Sequence, residues 1–397
     1  MKEVIVHPFP ELHTTIHDVP IPNPAPGEIV IRVFVAGSNV KDWAHLQSLH
    51  LSLNSGDDIA GTIHALGDGV SEFKIGDRVA AMHRMLKPGG AYAEFAVAPA
   101  STTLLLPEKT SFEEAATMPL IVLTAALTLF RRQHFPPPWA PMPASSSPAP
   151  SSSPLRVYGR QFLPPSWSPL LPYSLPRPTP LIIYGASSAL GSFPIKLAKA
   201  SNIHPIIAIA GGSHAYVDTL LDASRGDKLV DYRNGVEKMK EEVNTALNGL
   251  VARNAVDCIS AKGTWVALTQ LVDPKGAIVS VVSGVNRYDE SEIPEGVKVL
   301  YTYVGTVHDG AYLPAMPCQP VNKEEVRGDV EWAGRFVRYL SGILGGGRVV
   351  GILLWLFLMG WRGVEGGLRG LKNGEARGRK YVYRVWGGDG GGMNERQ

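Results

Sequence analysis

From residue 181 onward, short apolar runs alternate with single amphipathic segments, and this alternation restricts the fold more than any other feature of the 397-residue chain. The runs are Leu181–Tyr184, Pro205–Ala210, Lys228–Val230, Ala255–Ile259 and Ala277–Val282. Between them lie helix-like segments at Ser192–Ala200, Tyr216–Ala223, Gly235–Leu250 and Thr264–Leu271. Strands joined by single helices need right-handed crossovers, which make the sheet parallel and cover both its faces. Runs that are apolar throughout are what a strand buried on both sides requires. The expected fold class is α/β, with a doubly wound nucleotide-binding domain over 181–315.

Residues 1–125 have a different grain. Short β-branched runs at Ile29–Val35, Asp77–Ala81 and Ala93–Ala98 are separated by Pro26-Gly27, Gly67-Asp68-Gly69 and Pro88-Gly89-Gly90, which mark turns. No helix of ordinary length is expected before residue 105. Ser111-Phe112-Glu113-Glu114 forms a capping box, and the apolar stretch Ala115–Phe130 is broken at Pro119, predicting two consecutive helices. Over 136–180, fifteen positions are Pro and nine are Ser, too few apolar side chains to offset the entropy of ordering them. Residues 126–180 are therefore expected to be the end of a hinge helix and a flexible surface insertion, the latter over about 140–178. Residues 316–397 form a C-terminal segment that returns to the first domain and ends in a disordered tail. Within it, 345–361 is Gly-rich and then apolar, suited to a strand or a contact surface.

Composition removes several function classes. A formal net charge of +2 argues against a nucleic-acid binder driven by phosphate contacts. Two cysteines, Cys258 and Cys318, cannot build a disulfide framework or a four-cysteine zinc lobe. The longest apolar run, Val349–Met359, falls short of the ~18 residues of a membrane span, and the first residues show no secretory pattern. The expectation is a cytoplasmic monomer or homodimer with no nucleic-acid or membrane partner.

The chemistry-bearing segment of the second half is Tyr184-Gly185-Ala186-Ser187-Ser188-Ala189-Leu190-Gly191, set where a strand meets a helix. Glycines let the backbone approach a pyrophosphate, and the helix start offers unpaired amides and a positive dipole end. The spacing is not the full G-x-G-x-x-G pattern, so a tight turn that holds no ligand is the alternative. The second strand ends in Ile209-Ala210-Gly211-Gly212-Ser213-His214, with no acid to hold a ribose 2′-hydroxyl. Gly and Ser leave room and donors for a 2′-phosphate, which favours NADPH over NADH.

Gly185–Gly191, Gly226-Asp-Lys-Leu-Val-Asp231-Tyr232-Arg233 and Asp257-Cys258-Ile259-Ser260 together resemble the medium-chain dehydrogenase/reductase superfamily. Within it the chain is similar to the zinc-free quinone oxidoreductase and fungal trans-acting enoyl reductase branch. Gly37-Ser38-Asn39-Val40-Lys41-Asp42-Trp43, Gly56-Asp57-Asp58-Ile59-Ala60-Gly61, Phe73–Val79, Gly90–Phe95 and Lys380–Val385 match in the same order. The resemblance implies a Rossmann NADPH-binding domain plus an N-terminal GroES-like β-barrel catalytic domain completed by the C-terminal segment. Zinc-dependent relatives carry a metal-binding Cys in the first of these five motifs and His-Glu in the second. This chain has Ser38-Asn39 and Asp57-Asp58 there, and His45, His50, His64 and His83 form no recognised zinc set, so no metal is expected.

The implied roles follow position by position. Asn39, Val40, Lys41, Asp42 and Trp43 contact the cofactor near the nicotinamide, with Lys41 and Asp42 catalytic. Lys41 is an oxyanion donor or, alternatively, a solvated surface lysine. Thr124 is the third catalytic candidate or a simple helix-start hydroxyl, and it lines the substrate site with Leu123, Leu127, Thr128, Tyr301 and Val304. Gly185, Ser187, Ser188, Ala189, Leu190 and Gly191 hold the pyrophosphate, and Ser213 and His214 the 2′-phosphate. Tyr232 reaches the adenosine side or merely packs, Val281 and Val282 meet the carboxamide, and Tyr381 returns near the cofactor. Enoyl reductases of this kind often carry a lysine immediately after the tryptophan, where this chain has Ala44.

The expected activity is hydride transfer from NADPH to an activated C=C of an enone or enoyl thioester, small-molecule or carrier-protein-bound, with a polyketide synthase as partner. Without a metal, one or two hydrogen-bond donors can stabilise the charge that develops on the carbonyl oxygen. Quinone reduction and an NADPH-binding protein with little catalytic activity are the alternatives. A scaffold acting through the proline-rich insertion is a third.

Overall fold

The computed structural model describes residues 1–139, 178–282, 290–310, 323–344, 351, 354–357 and 360–385. The proline- and serine-rich stretch, apart from Pro136–Trp139 and Pro178–Pro180, lies outside the described residues. So do most of 345–361 and the tail beyond 385.

The turn punctuation of the first 105 residues produces antiparallel strands. β1 (Lys2–His7) and β2 (His13–Asp18) pair as a hairpin. β3 (Glu28–Gly37) is the spine of a larger sheet and carries seven fully buried positions along its ten residues. α1 (Lys41–Leu49) corrects the expectation that no ordinary helix precedes residue 105. Its residues, Lys-Asp-Trp-Ala-His-Leu-Gln-Ser-Leu, include no Gly, Pro or β-branched side chain, and Asp42, His45 and Leu46 form one buried face at helical spacing. The helix ends where His50 turns left-handed, at φ 55°, and donates its N–H to Leu46 O. β4 (Asp58–Leu66), β5 (Arg78–Met82), β6 (Phe95–Pro99) and β7 (Thr103–Leu105) follow.

The Ser111 cap forms as expected, with Ser111 Oγ accepting from Glu114 N at 3.1 Å at the head of α2 (Phe112–Ala115), while Glu114 Oε1 accepts from Gly351 N at 2.9 Å. Pro119 opens α3 (Pro119–Ala126), which runs into a π-helical turn over Leu127–Arg132. Proline at a first helical position loses only an amide that had no partner there.

The second half is α/β: β8 (Leu181–Tyr184), α4 (Ser192–Ala200), β9 (Ile206–Ala210), α5 (His214–Asp218), β10 (Lys228–Asp231), α6 (Val236–Leu247), β11 (Asn254–Asp257), α7 (Thr264–Thr269), β12 (Ile278–Val281) and β13 (Lys298–Tyr301). All pairings are parallel, in the order β10-β9-β8-β11-β12-β13. Strand order reverses between β8 and β11, which is where a doubly wound sheet opens a crevice at its carboxyl edge. Ile182, Ile207, Ile209, Met239, Val243, Leu268 and Val279 pack in the core of this sheet.

The chain then forms α8 (Lys323–Leu344), β14 (Leu354–Phe357), α9 (Arg362–Lys372) and β15 (Lys380–Arg384). β15 lies antiparallel to β3, with Val382 opposite Gly37 and Tyr383 opposite Ala36. The last strand thereby enters a sheet ordered β14-β15-β3-β4-β5-β7, with β6 also on β3. Val364, Leu368 and Tyr383 join Ile31, Leu46 and Ile59 in one core. The chain divides into two compact units, Met1–Leu123 with Val304–Gln397, and Thr124–Tyr303. The fold class expected from the sequence is the one observed. No helix among the described residues is long and apolar enough to cross a membrane.

Candidate active site

In the first unit, β3 runs out at Gly37 and the chain turns through Ser38-Asn39 into α1, while Asp57-Asp58 lead into β4. These two corners and β15 bring five charged side chains together. Lys41 Nζ lies 2.7 Å from Asp42 Oδ1 and 2.5 Å from Asp57 Oδ2, and it donates to Ser55 O at 2.6 Å. Lys380 donates to Asp58 and, at 3.0 Å, to Asn39 Oδ1. Asn39 Nδ2 donates to Asp58 Oδ2 at 2.7 Å, and Leu120 N to Asp58 Oδ1 at 2.6 Å. Asp42 Oδ2 accepts from Asn39 N at 2.8 Å and from Tyr92 OH at 2.6 Å. Tyr92 packs edge-on against Tyr383, with ring centroids 5.8 Å apart.

Burial dominates the electrostatics. It would lower the Lys41 ammonium, but the charges of Asp42 and Asp57 outweigh it and raise its pKa above the usual lysine value. Burial pushes the Asp57 carboxyl up to about 7 against the pull of Lys41, with Asp42 and Asp58 adding to the rise. It raises Asp42 too, opposed by Lys41 and the Tyr92 hydroxyl. His45 is held down to about 3, first by burial and then by Lys41, so its imidazole is neutral. Of the other residues proposed here, Val40 is 54% exposed and Trp43 is half-buried beneath Lys372, whose Nζ lies 5.3 Å from the indole centroid. Tyr381 is buried, its carbonyl accepting from Ser38 N and Oγ at 3.0 and 3.2 Å.

In the second unit, the turn after β8 has the shape a pyrophosphate requires. Gly185 takes φ +72°, and a Cβ on Gly191 would lie 2.2 Å from Gly185 O, so only glycine fits there. Ser188 N donates to Gly185 O at 2.8 Å, and Gly191 N to Ser188 Oγ at 2.9 Å, which closes the turn against the start of α4. Ser187, Ser188, Ala189 and Leu190 remain half-buried. At the end of β9 a Cβ on Gly212 would meet nothing, leaving space beside Ser213. His214 Nε2 lies 3.4 Å from Asp231 Oδ2, an acid the sequence does not place there, and Arg233 Nη2 neutralises that acid at 2.6 Å. Tyr232 is 42% exposed and stands 5.7 Å from the Tyr184 ring. A cavity of about 700 Å³ opens beside the two tyrosines, lined also by Arg233, Lys240, Lys262 and Thr264. The residues present fit a dinucleotide coenzyme. A larger cavity, about 930 Å³, lies at the amino ends of β9 and β10 near His204 and Arg225, away from these loops.

Val281 is buried, and the N–H of Val282 goes to Ser260 Oγ at 2.8 Å, so it is committed inside the fold. Leu123, Thr124, Leu127 and Thr128 are buried; Thr128 Oγ1 donates to Thr124 O at 2.8 Å and lies 3.1 Å from Thr302 Oγ1, from which it can accept. Tyr301 is half-buried and stacked on Tyr303, and Val304 is buried. Asp57, Asp58, Tyr92 and Lys380 received no role from the sequence. Lys380 and Asp58 are 322 residues apart, and the one signal available was that both lie in matched motifs. Among the described residues, no group of three or more His, Cys, Asp or Glu side chains is arranged to hold a metal ion.

Residues 25–108 match the alcohol dehydrogenase GroES-like domain family. A trans-enoyl reductase of Gibberella fujikuroi is 38% identical over 311 residues, spanning 78% of this chain and 82% of that protein. Among solved structures, the CurK enoyl reductase aligns with a TM-score of 0.66 at 16% identity, covering 96% of this chain and 99% of that one. A mycobacterial protein complexed with NADPH aligns with a TM-score of 0.65 at 17% identity, covering 97% and 99%.

Proposed function

The chain belongs to the medium-chain dehydrogenase/reductase superfamily of oxidoreductases, and on that premise we propose that it is an NADPH-dependent, zinc-independent reductase of activated carbon–carbon double bonds. The substrate class is an enoyl thioester or enone, free or carried on a protein, with a polyketide synthase as the partner that presents it. The observation that carries the coenzyme half is the glycine-closed turn at the switch point of the sheet, followed by an acid-free end of β9. The enoyl half is supported by the likeness to the trans-enoyl reductase.

Bound NADPH would supply a hydride to the β-carbon of the substrate. Gly185–Gly191 and the first amides of α4 bind the pyrophosphate, Ser213 and His214 the 2′-phosphate, and Tyr232 the adenosine side. Asn39 is locked by Lys380 and Asp58, and so presents a fixed backbone beside Val40 and Trp43. Lys41 holds the proton that the α-carbon or the enolate oxygen receives, and Asp42, itself fixed by Tyr92 and Asn39 N, orients the ammonium. The Thr124 hydroxyl positions the substrate carbonyl.

Quinone reduction is the second reading, favoured by Ala44 and by the engagement of the Lys41 ammonium with two carboxylates and a carbonyl. Stopped-flow loss of NADPH absorbance, run with 2-enoyl thioesters, enones and quinones, separates the two. Turnover of the thioesters is the expected result, turnover of quinones alone selects the second reading, and none with any of them removes both.

A further inference from the structure

We propose that Asp57 is the proton store of the lysine cluster, a buried carboxylic acid that reloads Lys41 after Lys41 has given a proton to the reduced substrate. The proposal rests on the assignment of Lys41 as proton donor above, and Asp57 in it is a positioning residue, acting through Lys41.

The cluster holds three carboxyl groups, Asp42, Asp57 and Asp58, and two lysines, Lys41 and Lys380. The three carboxyl groups are 0% exposed, Lys380 is 2% exposed, and the Lys41 side chain is 11% exposed. With every group ionised, the cluster carries one net negative charge away from water, a state that burial strongly disfavours. One bound proton makes it neutral.

That proton goes to the carboxyl group that donors serve least. Asp58 accepts from Leu120 N, Asn39 Nδ2 and Lys380. Asp42 accepts from Asn39 N and Tyr92 OH. Asp57 has a single donor among the described residues, the Lys41 ammonium 2.5 Å from its Oδ2, and it shares that donor with Asp42. The charged and titratable groups that face Asp57 are Lys41 and Asp42 from α1, Asp58 beside it at the start of β4, and Tyr92. Lys380 and Tyr383 of β15 reach Asp58 and Asp42 instead. Burial first, then Asp42 and Asp58, raise the Asp57 carboxyl to about 7, in accord with the charge count.

The proton balance closes. A hydride from the nicotinamide coenzyme reduces the substrate and leaves an enolate. A Lys41 N–H bond breaks, its electron pair stays on nitrogen, and a C–H or O–H bond forms on the enolate. The Asp57 O–H bond then breaks, its proton restores the ammonium, and one proton from water reloads the carboxylate. Lys41, the partly exposed member of the five, is the path to solvent.

Two readouts on the full-length protein test this. The first is an infrared pH titration of the carboxylic-acid C=O stretch, in the wild type, Asp57→Asn and Asp57→Glu. A band that persists to about pH 7 in the wild type, is missing in Asp57→Asn and returns shifted in Asp57→Glu is the expected result. A wild-type band lost by about pH 5, as for ordinary carboxyls, or one that survives in Asp57→Asn, overturns the proposal. The second is the pH profile of NADPH oxidation with a 2-enoyl thioester. The wild-type kcat should fall above about pH 7, and Asp57→Asn should lose that limb and about tenfold in kcat with little change in KM. An unchanged limb in Asp57→Asn overturns the relay. If no variant turns over any enoyl substrate, the proposed function fails, while the infrared titration still decides where the proton sits.

Discussion

The two candidate regions, one in each compact unit, are built by opposite means. The coenzyme edge is made of backbone: β8, seven residues of turn and α4 are consecutive, and the features that matter are glycines and amide directions. The Lys41–Asp57 cluster is made of side-chain charges from α1, β4 and β15, the last of them more than 300 residues away. The first kind of site is tuned by shape and tolerates little added volume. The second is tuned by charge balance and tolerates little unpaired charge. Each half should therefore fail in its own characteristic way.

The largest effect belongs to the charge-built half. Lys380→Met strands the buried Asp58 carboxylate and should lower stability by about 3–5 kcal/mol in denaturant unfolding, while Lys380→Met with Asp58→Asn should recover much of it. Equal losses in the single and double variants would show that shape, not charge, holds this half together.

Next comes pH. The folded pKa of Asp57, about 7, lies above the ordinary aspartate value of about 3.9, so the folded state binds this proton more tightly than the unfolded state does. The associated stability is complete below the unfolded pKa and drains away as pH rises through about 7. Unfolding midpoints should fall between mildly acidic and mildly alkaline pH, and Asp57→Asn should flatten that dependence.

In the shape-built half, Gly191→Ala drives a Cβ into Gly185 O and should cost about 1–3 kcal/mol and abolish coenzyme binding, with no change in the pH dependence just described. The smallest effect is that of Ser188→Ala, which leaves Gly191 N without its hydroxyl partner and should cost about 1 kcal/mol, with weaker but measurable coenzyme binding.

The same division explains how much was legible in the sequence. Strand–turn–helix at Leu181–Ala200, the Ser111 cap and the break at Pro119 were legible because each is encoded by neighbours along the chain. α1 was missed because nine residues between turn signals left a short amphipathic pattern, with an aspartate and a histidine on its buried face. The buried face is polar because it serves the cluster, so hydrophobic periodicity could not reveal it. The Lys380–Asp58 contact has no local signature at all, since it depends on β15 pairing with β3. Asp231 near His214 was hidden for a like reason: the acid sits at the end of β10, one strand away from where a ribose-binding acid is sought.

The most direct test is a calorimetric titration of the full-length protein with NADPH and with NADH, beside Gly191→Ala. Saturable heat with NADPH, weaker binding of NADH and none in Gly191→Ala is the predicted result. No heat with either coenzyme, or tighter binding of NADH than of NADPH, would contradict the assignment of the β8–α4 edge as the NADPH site.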